Sequence, residues 1–70
     1  QELQQVVHRA VAALSIDHRI VVTLHHLQGM GVAEIADILG ISVGTVKSRL
    51  SRARDELKRR LRSYVEGESP

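Results

Sequence analysis

Cysteine is absent from the 70 residues, and so are tryptophan and phenylalanine. Without cysteine the chain has no disulfide and no thiolate ligand for a metal, so a reducing, cytoplasmic setting is expected. Tyr64 is the single aromatic residue. Proteins that hold unpaired bases stack them on aromatic side chains, so this scarcity argues against single-stranded nucleic acid as a target. No apolar run approaches the roughly 20 residues that a membrane-crossing helix needs, and no leader-like pattern opens the chain. The chain begins at Gln1 rather than Met, as a fragment of a longer protein would.

What is present is helical periodicity. The length suits one small domain with a thin core, since a chain of this size buries only about 60% of its unfolded surface. A hydrophobic fraction of 43% is that of a folded unit. Leu3, Val6, Val7, Ala10, Val11 and Leu14 recur at the spacing of one helix face. Ser15 is positioned to cap a second helix over residues 16–28, with Ile20, Val21, Leu24 and Leu27 as its stripe. "GMG" at 29–31 ends it, and a short third helix follows over 32–39, with Val32, Ile35, Ala36 and Leu39 on one face. Gly40, Ile41 and Ser42 predict a tight turn. Ser42 is the N-cap of a fourth helix, and Ile41 with Val46 makes a hydrophobic staple across it. That helix runs to about residue 64, leaving 65–70 as a frayed tail. The predicted fold is all-α: a small four-helix domain with a helix-turn-helix over about 32–64 and a long last helix.

Charge is unevenly placed. The net charge is only +2, yet residues 42–62 carry eight basic against two acidic side chains, a local +6. Residues 1–41 carry two basic against four acidic, a local −2. A basic C-terminal element on an acidic body suits a polyanion at one end and a different partner elsewhere.

At about 100° per residue, Val43, Val46, Leu50, Ala53, Leu57 and Leu61 occupy an arc of about 80° on the fourth helix. Gly44, Ser48, Ser51 and Asp55 lie opposite, with Lys47, Arg52, Lys58 and Arg59 on the shoulders. Small polar residues flanked by long cations suit a major groove, and the glycine leaves the helix N-terminus open to a phosphate. Two other readings compete: a solvated charged face without a partner, and a membrane-surface helix, which would carry a broader, aromatic-bordered apolar face. The four histidines do not suggest a metal site, because adjacent His25 and His26 diverge on a helix and no cysteine completes a ligand set. No metal, cofactor or catalytic arrangement is legible, and an enzyme is not expected.

The stretch "EIADILGISVGTVKSRLSRARDEL", and more broadly residues 3–62, resembles region 4 of bacterial sigma-70 family sigma factors, most closely the extracytoplasmic-function (ECF) group. The resemblance implies a four-helix domain whose helix-turn-helix reads the minus-35 promoter element. It implies that the other side docks on the flap of the RNA polymerase beta subunit, and that an anti-sigma factor regulates these surfaces. Carried over by position, it makes Lys47, Ser48, Ser51 and Arg52 the base-reading residues. Ser42, Gly44, Thr45, Arg49, Arg54, Lys58 and Arg59 would contact the DNA backbone. Val11, Val22, Met30 and Val32, at the borders of their helix stripes, are the candidate partner surface. The chain departs from the family pattern at Ser15-Ile16, where relatives often have proline, and at Gly31, where they often have serine or threonine. The core "EIA…LGIS…TVK" also resembles the DNA-binding domain of response-regulator-type activators. Those dimerise through the last helix, which the cations of "KRRLRSY" would oppose, so a monomer is expected. A pure protein-interaction module is the remaining alternative.

Overall fold

The computed structural model describes residues 2–65. The chain order is α1 (Glu2–Ala12), α2 (Ile16–Val22), a π-helical turn (Thr23–Leu27) that continues α2, α3 (Val32–Leu39) and α4 (Val43–Val65). The fold is all-α as predicted. The proposed frayed tail lies outside the described residues, apart from the helical backbone of Val65. At about 1.5 Å per residue, a helix the length of α4 spans roughly 35 Å. It therefore sets the long dimension of the 39 × 21 × 16 Å molecule. The other helices pack along it, with α2 and α3 over its first half.

The turn between α3 and α4 follows local chemistry closely. Gly40 takes the left-handed conformation, φ 68°, which a side chain would resist. The Gly40 and Ile41 amides donate to Asp37 and Ala36 carbonyls at 3.3 and 3.1 Å, the paired bonds of a Schellman motif. Ser42 Oγ then accepts the Thr45 amide at 3.0 Å, satisfying one of the open donors of α4. Ile41 packs on the core cluster that contains Val46, as the staple requires. This turn fixes how α4 leaves α3.

The other two starts are less conventional. Ser15 occupies the N-cap position of α2, but its hydroxyl makes no capping bond. Gly31 caps α3 with extended backbone alone. The second helix also ends differently from its predicted course. A wider π turn, closed by Gln28 N–H to the Thr23 carbonyl at 3.0 Å, replaces its last α turns. Gly29 follows in the left-handed region at φ 73°. His25 Nδ1 lies 2.8 Å from the Met30 carbonyl oxygen and donates to it, tying the loop to the turn.

The π turn rotates the end of α2 out of α-helical register. Leu27, predicted on the inner stripe, is 63% exposed. Val22, predicted on the partner surface, is 3% exposed and belongs to the core, so that assignment is corrected. Val11, Met30 and Val32 are half-buried and pack against the same core. The core cluster consists of Leu14, Val21, Val22, Ile35, Ala36, Val46, Leu50 and Ala53. Val43, predicted on the α4 stripe, stands at the solvent edge, as do Leu3 and Val7 of α1.

α1 packs against α4 with Val6 and Ala10 buried. Tyr64 O–H donates to Glu2 Oε2 at 2.9 Å, joining the two ends of the described chain. That bond, with some burial, raises the phenol pKa, because the neutral phenol is the donor. Tyr64, next to the predicted frayed tail, is thus held at the end of α4.

Candidate nucleic-acid interface

Val46, Leu50 and Ala53 turn inward and are fully buried, which leaves the opposite side of α4 to solvent. On that side Gly44, Lys47, Ser48, Ser51 and Arg52 are all exposed, a continuous strip over the first turns of the helix. The strip is clear of neighbours because α2 and α3 pack on the other face of α4. Arg54, Lys58 and Arg59 are also exposed.

At the helix start, Ser42 Oγ and Thr45 Oγ1 are 2.9 Å apart while Ser42 Oγ also accepts the Thr45 amide. One hydroxyl proton is used between them. The other, on whichever residue accepts, remains to donate outward. Gly44 sits beside this pair. A Cβ placed there would meet only Ser42 Oγ, at 3.8 Å, an ordinary contact. Packing therefore does not demand a glycine at position 44, and its backbone is not in the left-handed region.

Arg49 differs from the other cations of the strip. Its side chain is only 29% exposed, and Nη1 lies 3.9 Å from Asp17 Oδ1 on α2. Arg60, farther along, is bound to Glu56 Oε2 through Nε and Nη2 at 3.1 and 3.0 Å. Arg54 lies on the other shoulder of α4, near the π turn. The imidazole of His26 has a lowered pKa, first from desolvation and then from the charges of His25 and Arg54. The rings of His25 and His26, both in the π turn, meet edge to face with centroids 4.8 Å apart. Asp17 and His26 were not singled out from the sequence as neighbours of α4, because neither contact leaves a local signal.

A short helix, a glycine-bearing turn and a long helix whose outer face is small, polar and cationic define a helix-turn-helix DNA-binding domain. The family model for sigma-70, region 4 matches residues 4–57, and the chain belongs to that family. It is 38% identical over 65 residues to the ECF RNA polymerase sigma-E factor of Escherichia coli strain K12, covering 93% of this chain and 34% of that protein. The same figures apply to the sigma-E factor of Salmonella typhimurium strain LT2. The ECF RNA polymerase sigma factor SigW of Bacillus subtilis strain 168 is 36% identical over 61 residues, covering 87% of this chain and 33% of that protein. The chain thus spans about a third of the length of these relatives. These matches favour the sigma family over the response-regulator family, which shares the turn motif. Among the described residues no helix is long and apolar enough to cross a membrane.

Proposed function

We propose that this chain recognises the minus-35 element of promoter DNA by laying the start of α4 in the major groove. The observation that carries the reading is the exposure of Lys47, Ser48, Ser51 and Arg52 on the face opposite buried Val46, Leu50 and Ala53. Arg52 and Lys47 reach base edges, where an arginine can pair with the O6 and N7 of guanine. Ser48 and Ser51 keep the helix surface low enough to enter. Thr45, Arg54, Lys58 and Arg59 hold phosphates, along with the outward hydroxyl proton of the Ser42–Thr45 pair. The test separates base from phosphate contacts. Arg52→Ala is expected to weaken binding to a minus-35 duplex more than to a random one, by the about 1–3 kcal/mol of a bidentate base contact. Lys58→Ala should weaken both duplexes alike. Equal losses for Arg52→Ala on the two duplexes would move Arg52 into the phosphate class.

Gly44 supplies a second test with opposite signs for stability and binding. Since its Cβ space is open, Gly44→Ala is expected to stabilise the fold, by up to about 1 kcal/mol from helix propensity. The same methyl would hold a phosphate away from the helix N-terminus. Loss of one hydrogen bond to a charged group corresponds to about tenfold weaker DNA binding. A melting curve and a titration on the same preparation read both effects. Unchanged affinity would remove Gly44 from the DNA contact.

The reading extends to the polymerase. The relatives' names are those of RNA polymerase sigma factors, which supports association with RNA polymerase; docking on the beta flap through a side away from the DNA strip is what the family resemblance implies. An anti-sigma factor covering these surfaces is the regulation the family resemblance implies. Affinity capture from bacterial lysate, scored for the beta subunit and for a small inhibitory protein, tests both. Recovery of neither would confine the chain to DNA.

A further inference from the structure

Of the two ion pairs among the described residues, only Arg49–Asp17 joins α4 to another helix. We propose that Asp17 is a brake on duplex binding: it holds the Arg49 guanidinium toward α2, and a DNA phosphate must displace it. The proposal rests on the reading of α4 as the DNA-binding element and adds a residue on another helix to that element.

The geometry suits an exchange rather than a permanent tie. The separation is 3.9 Å, too long for a hydrogen bond, and the Asp17 side chain is 63% exposed. Arg49 is the more confined partner at 29%, and an arginine so placed can lay its stem on the helix packing while its guanidinium reaches toward solvent. On the helix projection Arg49 lies on the same shoulder as Thr45 and Arg52, between the exposed strip and the packed face. From there the guanidinium can reach either the Asp17 carboxylate or a phosphate beside the groove. It cannot be fully paired with both. Each phosphate contact made by Arg49 also leaves Asp17 as an uncompensated negative charge facing a negative backbone. A pair this exposed shifts an equilibrium by no more than about fivefold, which makes it a modulator and not a lock.

The experiment is a titration of the 70-residue chain with a short fluorescent duplex of mixed sequence, since phosphate contacts are independent of sequence. Asp17→Asn keeps the shape of the side chain and removes its charge. It is expected to tighten binding about two- to fivefold at low salt. In an Arg49→Gln background the same substitution is expected to give a clearly smaller gain, the part due to the field of Asp17 on the DNA backbone. Circular dichroism melts of each variant report whether the fold is intact, and Asp17→Ser serves as a second charge-removing variant. Unchanged or weaker binding by both Asp17 variants overturns the proposal. So does a gain of equal size in the Arg49→Gln background, because Asp17 would then act through its field alone and not by holding Arg49. Failure of the DNA reading itself is separately visible: the unmodified chain would show no salt-dependent duplex binding at all.

Discussion

Raising the salt from about 50 to about 200 mM is expected to weaken duplex binding by about two to three orders of magnitude. The expectation comes from counting which cations the fold leaves available. Residues 42–62 carry a local charge of +6, but not every cation there is equally exposed or unpaired. Arg60 is engaged by Glu56, and Arg49 faces Asp17. Lys47, Arg52, Arg54, Lys58, Arg59 and Arg62 remain exposed along α4. If about four to six phosphates are neutralised, the slope of log affinity against log salt is near −4 to −5. Titrations at several salt concentrations with a short duplex measure that slope directly. The outcome separates the competing functions. A protein-interaction module that merely carries a solvated cationic face would give negligible duplex binding or a slope near zero. A domain that holds a promoter gives a steep slope on every duplex, with sequence preference superimposed on it.

The parts of this molecule that were legible in the sequence are those governed by residues close together in the chain. The Gly40–Ile41–Ser42 turn is the clearest case. A left-handed glycine, paired carbonyl bonds and a serine cap are each decided within a few residues, and the structure contains all of them. The inward face of α4 followed from its period through Val46, Leu50 and Ala53. Where the chain departs from a regular helix, the period misleads. The π turn over Thr23–Leu27 places Leu27 outside. Val22, assigned to the surface, is the last residue of the regular part of α2 and lies in the core, at a border of the stripe that the period alone does not resolve. Periodicity also shows which residues share a face but not whether a neighbour exists to cover it. Leu3 and Val7 belong to the α1 stripe, yet the thin core of a small domain buries Val6, Ala10 and Leu14 and half-covers Val11, leaving those two at the solvent edge. Contacts between distant positions carried no signal at all. Tyr64 and Glu2 are 62 residues apart in sequence and meet because α1 lies against the end of α4. The Arg49–Asp17 pair depends in the same way on how α2 packs on α4. The exposed strip was legible because its chemistry lies on one helix. The charge that faces it from α2 was not.

Ile35→Ala is expected to cost about 2–5 kcal/mol of folding stability, whereas Ile38→Ala, three residues later on α3, should stay within about 0.5 kcal/mol. Both substitutions remove the same atoms from the same helix, and both replace a β-branched residue by the best helix former. The difference between them is therefore a measure of packing alone. Ile35 is fully buried at 0% exposure in the cluster that includes Val46 and Leu50, while Ile38 is 58% exposed. Removing the Ile35 side chain leaves a cavity at the junction that sets the angle between α3 and α4. A domain of this length has a total stability of only about 4–10 kcal/mol, so the loss is a large share of it. Urea denaturation followed by far-ultraviolet circular dichroism reads both variants. The consequence reaches the DNA strip without touching it. Apparent affinity is the intrinsic affinity multiplied by the folded fraction, so Ile35→Ala should weaken duplex binding in proportion to the population it unfolds. A stabilising osmolyte should restore much of that binding, because it acts on the fold and adds no DNA contact. Ile38→Ala should bind as the unmodified chain does. Equal destabilisation by the two substitutions would mean that α3 does not present Ile35 to α4, and that the recognition helix is positioned by some other packing.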